Sequence, residues 1–235
     1  VKRNIAFVLD ELERRYGEAI EAHPNTNSHV FEVLIRTILS ARTREENTQK
    51  ASEQLFARAR TPRAILKLKQ SELERLIRPA GTYRSKARSI RATCKMLIGE
   101  FGGKVPDTMD GLQRLPGVGP KVAAIVLSYG FGQPVIATDT NVFRISKRLG
   151  FVDMDAKPEE VSKQLEGKIP TKRRLIVNLA MVSFGRQICK SITPLCVKSK
   201  ENCPFTKVCW AYKTKQFYMK PFGTKLVKVQ ERGKL

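Results

Sequence analysis

Leu115-Pro116-Gly117-Val118-Gly119-Pro120-Lys121 packs two glycines, two prolines and a lysine into seven residues. This is the composition of a tight turn that opens a helix. Gly117 and Gly119 tolerate positive φ and the close approach of a partner to the backbone, and Pro120 suits the first helical turn, where its missing N–H removes no bond. Amides exposed at such a turn, with a helix dipole behind them, form a site for one phosphate. Lys121, directly after them, holds an amine beside a nucleic-acid backbone. Upstream, Thr108 is suited to cap a short helix through Leu115. Downstream, Val122, Ala123, Ile125, Val126 and Leu127 supply the apolar face of a second helix, so the turn joins two helices.

Outward from this hairpin, apolar residues recur at helical spacing almost throughout, and no segment shows sustained period-two alternation bounded by hairpin turns. The sequence therefore predicts an all-α protein. Ile5, Val8, Leu9 and Leu12 mark a first helix that ends near Gly17, and Pro24-Asn25-Thr26-Asn27-Ser28 then breaks the chain. A second helix begins near Ser28 and carries Val30, Phe31, Leu34, Ile35, Ile38 and Leu39 inward. Further helices are predicted over 46–59, 62–68, 71–77, 85–101, 158–167 and 172–184, and from Asp139 or Thr140 to Arg148. After Gly185 helical periodicity gives way to cysteines, prolines and lysines. His23 and His29 read as capping or packing residues near the second helix, and Cys94, on an apolar helical pattern, as an ordinary buried thiol.

Charge narrows the partner. Over 235 residues, 44 Lys+Arg stand against 22 Asp+Glu, a net charge of +22. Ordinary solvated surfaces usually mix their signs, and an excess of this size points instead to nucleic acid. A membrane surface suits the chain less, because basic amphipathic helices of that kind carry exposed aromatics and few acids. At 7% aromatic residues the chain is also poor in stacking platforms for single strands. No apolar run approaches the length of a bilayer span, and no secretory start is visible, so a soluble intracellular protein is expected.

Four of five cysteines fall late, as Cys189, Cys196, Cys203 and Cys209, with spacing C-x6-C-x6-C-x5-C. A chain of this length needs no disulfide staples, and a reducing compartment disfavours them, so the four read as a metal centre. Four thiolates suit either tetrahedral zinc or an iron-sulfur cluster.

Asp139 follows eighteen positions after Lys121, in the string Thr138-Asp139-Thr140-Asn141-Val142-Phe143-Arg144. Hairpin, lysine, aspartate at this spacing and downstream cysteines together resemble the signature of the endonuclease III superfamily of DNA base-excision glycosylases, over residues 31–212. The resemblance implies two helical domains. A six-helix barrel domain, 23–133, would contain the helix-hairpin-helix, and 1–22 would join 134–235 in a second domain with the cysteine loop, the DNA lying across the cleft between them. It implies that Lys121 attacks C1′ of a damaged nucleotide, displaces the base and forms a Schiff base that leads to β-elimination of the 3′ phosphate. Asp139 would assist deprotonation and stabilise positive charge on the sugar, as carboxylates do in glycoside hydrolysis. Taken alone, Lys121 also reads as a phosphate contact and Asp139 as a plain helix N-cap.

In that family the cysteine loop, usually C-x6-C-x2-C-x5-C, holds a [4Fe-4S] cluster. Here the outer spacings match and the middle one is longer by four residues. An insertion in a loop costs little chain entropy, so a cluster stays the first reading and zinc the alternative. The resemblance also assigns DNA contacts to Gly117, Val118 and Gly119. Gap-filling falls to Arg42, in Leu39-Ser40-Ala41-Arg42 where many relatives carry glutamine, and to Thr82 with Tyr83, where relatives often carry an apolar wedge before tyrosine. Arg42 also reads as a solvated side chain beside Glu45 and Glu46. The resulting expectation is a monomeric glycosylase and abasic-site lyase that removes oxidised pyrimidines from duplex DNA. Mismatch uracil or thymine excision, abasic-site lyase action alone, and a noncatalytic helix-hairpin-helix DNA-binding module are the alternatives.

Overall fold

The structure, a computed structural model, describes residues 2–21, 29–218 and 226–228. The break at 24–28 and His23 lie outside them. Among the described residues the helices in chain order are α1 (Lys2–Glu21), α2 (Val30–Ser40), α3 (Glu45–Arg58), α4 (Pro62–Lys67), α5 (Gln70–Leu76), α6 (Tyr83–Glu100), α7 (Met109–Gln113), α8 (Pro120–Ile125), α9 (Thr140–Leu149), α10 (Pro158–Lys168), α11 (Arg174–Gln187) and α12 (Trp210–Thr214). The all-α reading holds, with one addition that the sequence pattern did not announce. Gln216–Tyr218 and Leu226–Lys228 pair as two short antiparallel strands, β1 and β2. No helix among the described residues is long and apolar enough to cross a membrane.

The chain divides into two compact units, one of residues 24–133 and one of 1–23 with 134–235. In the first, α2 turns Leu34, Ile35, Ile38 and Leu39 inward, where they are buried with Leu55 of α3, Ile65 of α4, Leu73 of α5 and Ile90, Cys94 and Leu97 of α6. Burial pushes the Cys94 thiol up to about 12, as expected of an inert core cysteine. His29 occupies the N-cap position of α2 and makes no capping bond with its side chain.

In the second unit, α1 lies along α11. Ile5, Val8, Leu9 and Leu12 repeat at helical spacing and are all buried. Arg173, directly before α11, also clamps α1, donating to Asp10 at 2.7 Å and Glu13 at 2.8 Å, and Tyr16 Oη donates to Gln187 at 3.1 Å. These contacts join the chain's first helix to its later part. The helix does not stop at Gly17 but continues to Glu21. A glycine in a helix interior costs only about 1 kcal/mol, too little to end a helix by itself.

Candidate nucleic-acid site

The hairpin turn is built by its neighbours. Thr108 Oγ1 accepts the Gly111 amide at 3.2 Å and caps α7, while Leu112 and Leu115 are buried. Leu115 O accepts the Val118 amide at 3.0 Å, and Thr93 of α6 donates its hydroxyl to Pro116 O at 2.8 Å, fixing the turn on that helix. Gly117 has φ +85, so the backbone angle demands glycine, and a Cβ there would stand tightly, 3.0 Å from Ser89 Cβ. Gly119 differs from expectation. It is extended, with φ −89 and ψ 178, because it serves as the N-cap of α8 and not as a second left-handed residue. Its missing side chain leaves open space in front of the backbone. Val118 is buried, so any contact it makes with a partner is through its main chain. Pro120 begins α8 and Lys121 follows on its exposed side, while Ala123 and Ala124 anchor the helix inward.

Arg42 and Thr82, both exposed, share a conformation that side chains rarely adopt. Their φ values are +54 and +40, and Gly81, between Ala80 and Thr82, has φ +60 and ψ 162, a region open in practice only to glycine. Left-handed backbone at a non-glycine residue costs about 1–2 kcal/mol and persists where its surroundings impose it. Here the two loops are tied together. Thr43 Oγ1 donates to Ala80 O, and Lys86, from the first turn of α6, donates to Leu39 O at 2.6 Å, Thr43 Oγ1 at 2.6 Å and Ala80 O at 2.7 Å. Burial pulls the Lys86 ammonium down to about 8. Tyr83 is half-buried with the Arg84 guanidinium 5.6 Å from its ring centroid, and Glu45 accepts from Arg36 at 2.7 Å.

Asp139 is the N-cap of α9. One carboxylate oxygen accepts the amides of Asn141 at 2.8 Å and Val142 at 2.7 Å, and the other accepts Asn141 Nδ2 at 3.2 Å. Asn141 is held in turn. Its Oδ1 accepts from Arg144 at 2.9 Å, and the same buried guanidinium donates to Cys189 O at 2.9 Å. Gly185 of α11 makes room, since a Cβ there would come within 2.5 Å of Asn141 Oδ1 and 2.9 Å of Arg144. The carboxylate is therefore fixed to the start of its helix and, through two side chains, to the first late cysteine.

Residues 35–171 match the family described as HhH-GPD superfamily base excision DNA repair protein. The chain belongs to this superfamily. It is 44% identical over 202 residues to Endonuclease III of Thermotoga maritima, covering 84% of this chain and 93% of the relative. It is 35% identical over 207 residues to Endonuclease III of Bacillus subtilis, covering 88% and 92%. Among solved structures it is similar to a trapped Endonuclease III–DNA covalent intermediate, with a TM-score of 0.81, 40% identity and coverage of 91% of this chain and 98% of that one. A thermostable thymine-DNA glycosylase shares the fold at a TM-score of 0.78 and 23% identity, covering 90% of this chain and 98% of that one.

In this HhH-GPD protein the late cysteines surround one cavity. Cys189, Cys196, Cys203 and Cys209 line it with Ile145, Phe184, Phe205 and Arg148. The Cys209 thiol donates to Arg148 O at 3.1 Å. Among the described residues no three His, Cys, Asp or Glu side chains are gathered about a single-ion position. The longer middle spacing is absorbed locally. Leu195–Val197 and Lys200–Asn202 form two 3-10 turns, with Ser199 Oγ accepting the Glu201 amide at 3.3 Å between them.

Three supporting residues escape a reading by motif. Arg144 and Arg148 are buried on α9, and Arg148 gathers the start of the cysteine segment by donating to Lys190 O and Ser191 O at 2.7 Å each and to Cys189 Sγ at 3.3 Å. Their signal was a helical spacing of four that sets both charges on the same side as Ile145 and Leu149. Lys86 left a similar trace, sitting four residues before Ile90 on a face that also carries Ala87 and Cys94.

Proposed function

We propose that this chain is a bifunctional DNA glycosylase and abasic-site lyase of base-excision repair, acting on damaged, chiefly oxidised-pyrimidine, bases in duplex DNA. The observation that carries the reading is an exposed lysine, Lys121, set immediately after a turn whose backbone is open at Gly119, in a chain 40% identical to a protein trapped covalently on DNA. The hairpin backbone at Gly117, Val118 and Gly119 takes the phosphates, and the exposed amine is the nucleophile. Loss of its proton frees the lone pair. Nζ then bonds to C1′, the glycosidic bond breaks and the base leaves with the bonding pair. Opening of the sugar gives an iminium, and loss of a C2′ proton expels the 3′ phosphate. Asp139, held as described, accepts a proton and balances positive charge on the sugar. The reading requires Lys121 and Asp139 to act on one nucleotide, extruded from the duplex and replaced by Arg42 and by Thr82 with Tyr83.

Cys189, Cys196, Cys203 and Cys209 are the residues that would hold a [4Fe-4S] cluster. The donor set fits, since four thiols border one cavity with a guanidinium against one of them. A single zinc, about 2.3 Å from each sulfur, would draw the four closer together than a cluster does. The group's contribution would be structural, tying the segment after α11 to α9. The protein acts as a monomer, associated with DNA in the nucleoid or nucleus.

Duplexes carrying one defined lesion opposite each base test the reading. Strand cleavage without alkali is the expected result for oxidised pyrimidines. Cleavage that needs alkali would demote the chain to a glycosylase without lyase action, and no cleavage of any lesion duplex would leave a binding module.

A further inference from the structure

Among the described residues no acidic side chain pairs with the buried Lys86, and its three N–H bonds go to two loops that one hydroxyl also joins. Its acceptors are Leu39 O in the last turn of α2, Thr43 Oγ1 and Ala80 O, all within 2.7 Å. An ammonium has three donors, so the bonds are complete. Two of the acceptors are main-chain carbonyls at the ends of a helix and of a 3-10 turn, groups that lack helical partners and attract positive charge. Arg42 is one residue from this junction on one loop, and Thr82 is two residues from it on the other. Arg42, Thr82 and Lys215 are the three described non-glycine residues at positive φ, and this junction holds two of them.

The geometry points to Lys86 as a positioning residue that holds Arg42 and Thr82 side by side in their left-handed conformations, so that the gap left by an extruded nucleotide is filled by a preformed pair of loops. The inference rests on the gap-filling role proposed above for these two residues. It follows from the cost of that backbone. A loop free to relax would leave positive φ, and the observed bonds that prevent it converge on one ammonium. A lysine suits the task because its compact head reaches three acceptors from different directions, which the planar fork of arginine does not.

The test uses the full chain and a duplex in which a tetrahydrofuran abasic analogue stands opposite 2-aminopurine. The analogue forms no Schiff base, so the readout is independent of Lys121. Filling of the gap changes the fluorescence of 2-aminopurine when wild type saturates the duplex. Lys86→Met, matched in length and uncharged, should lose most of this change and weaken binding to the analogue by about tenfold or more, while binding to undamaged duplex stays as in wild type. Thr43→Val, which removes one acceptor and the cross-loop hydroxyl without touching charge, should lose part of the change and serves if Lys86→Met does not fold. A folded Lys86→Met or Thr43→Val with the full wild-type change would overturn the inference. So would equal weakening on damaged and undamaged duplex, or a wild type that leaves 2-aminopurine unchanged. Borohydride trapping on abasic DNA reports separately on the Lys121 chemistry.

Discussion

At the scale of the residue, Asp139 reads two ways, as an N-cap and as a carboxylate for chemistry, and its geometry makes the two separable. The cap uses one oxygen toward two amides, and asparagine caps about as well as aspartate. Asp139→Asn should therefore unfold in urea within about 0.5 kcal/mol of wild type, while base excision falls by about 10²–10⁴. Asp139→Ala should lose the same activity and about 1 kcal/mol besides. An Asp139→Asn protein with unchanged single-turnover excision would remove the carboxylate from the reaction. The turn before Lys121 and the cap at Asp139 were legible in the sequence because turn and cap chemistry is local. Lys86, Arg144 and Arg148 were not, because a charged residue on an apolar helical face declares itself only when its acceptors, carbonyls distant in sequence, are seen around it. Gly119 shows the opposite error. Its freedom to take positive φ was legible, but capping α8 uses ordinary extended backbone.

At the scale of the element, α9 does several jobs at once. Its first turn holds Asp139, and its buried arginines hold the segment that begins at Cys189. Periodicity located this helix within a residue, as it did α3 to α5, and α6 within two, since their apolar faces are regular. The segment after α11 was harder to read. Its 3-10 turns and the β1–β2 pair are too short for a period to show, and the order of the cysteine segment comes from bonds to α9. Within this element the sharpest prediction is Cys203→Ser. Iron and sulfide content and the visible absorption of protein purified without air should drop well below wild type, and thermal unfolding should come several degrees earlier. Retained iron with unchanged absorption would exclude Cys203 from the ligands, and a colourless wild type carrying zinc would replace the cluster with the alternative metal.

At the scale of the whole molecule, 44 basic against 22 acidic residues make a polyanion the partner, and family membership makes that polyanion DNA. Affinity for undamaged duplex should fall steeply with salt, with log K declining against log salt by about 0.9 for each phosphate neutralised. A slope near zero, measured by fluorescence anisotropy, would mean that the charge serves something other than the DNA backbone. The central claim is narrower than binding. It is that Lys121, placed by its turn at the start of α8, becomes covalently joined to C1′. Borohydride reduction of the full chain mixed with an abasic duplex measures this directly. Wild type should give a stable protein–DNA adduct that Lys121→Ala, folded and still bound to DNA, does not form. No adduct from wild type, or an undiminished adduct from Lys121→Ala, would contradict the account.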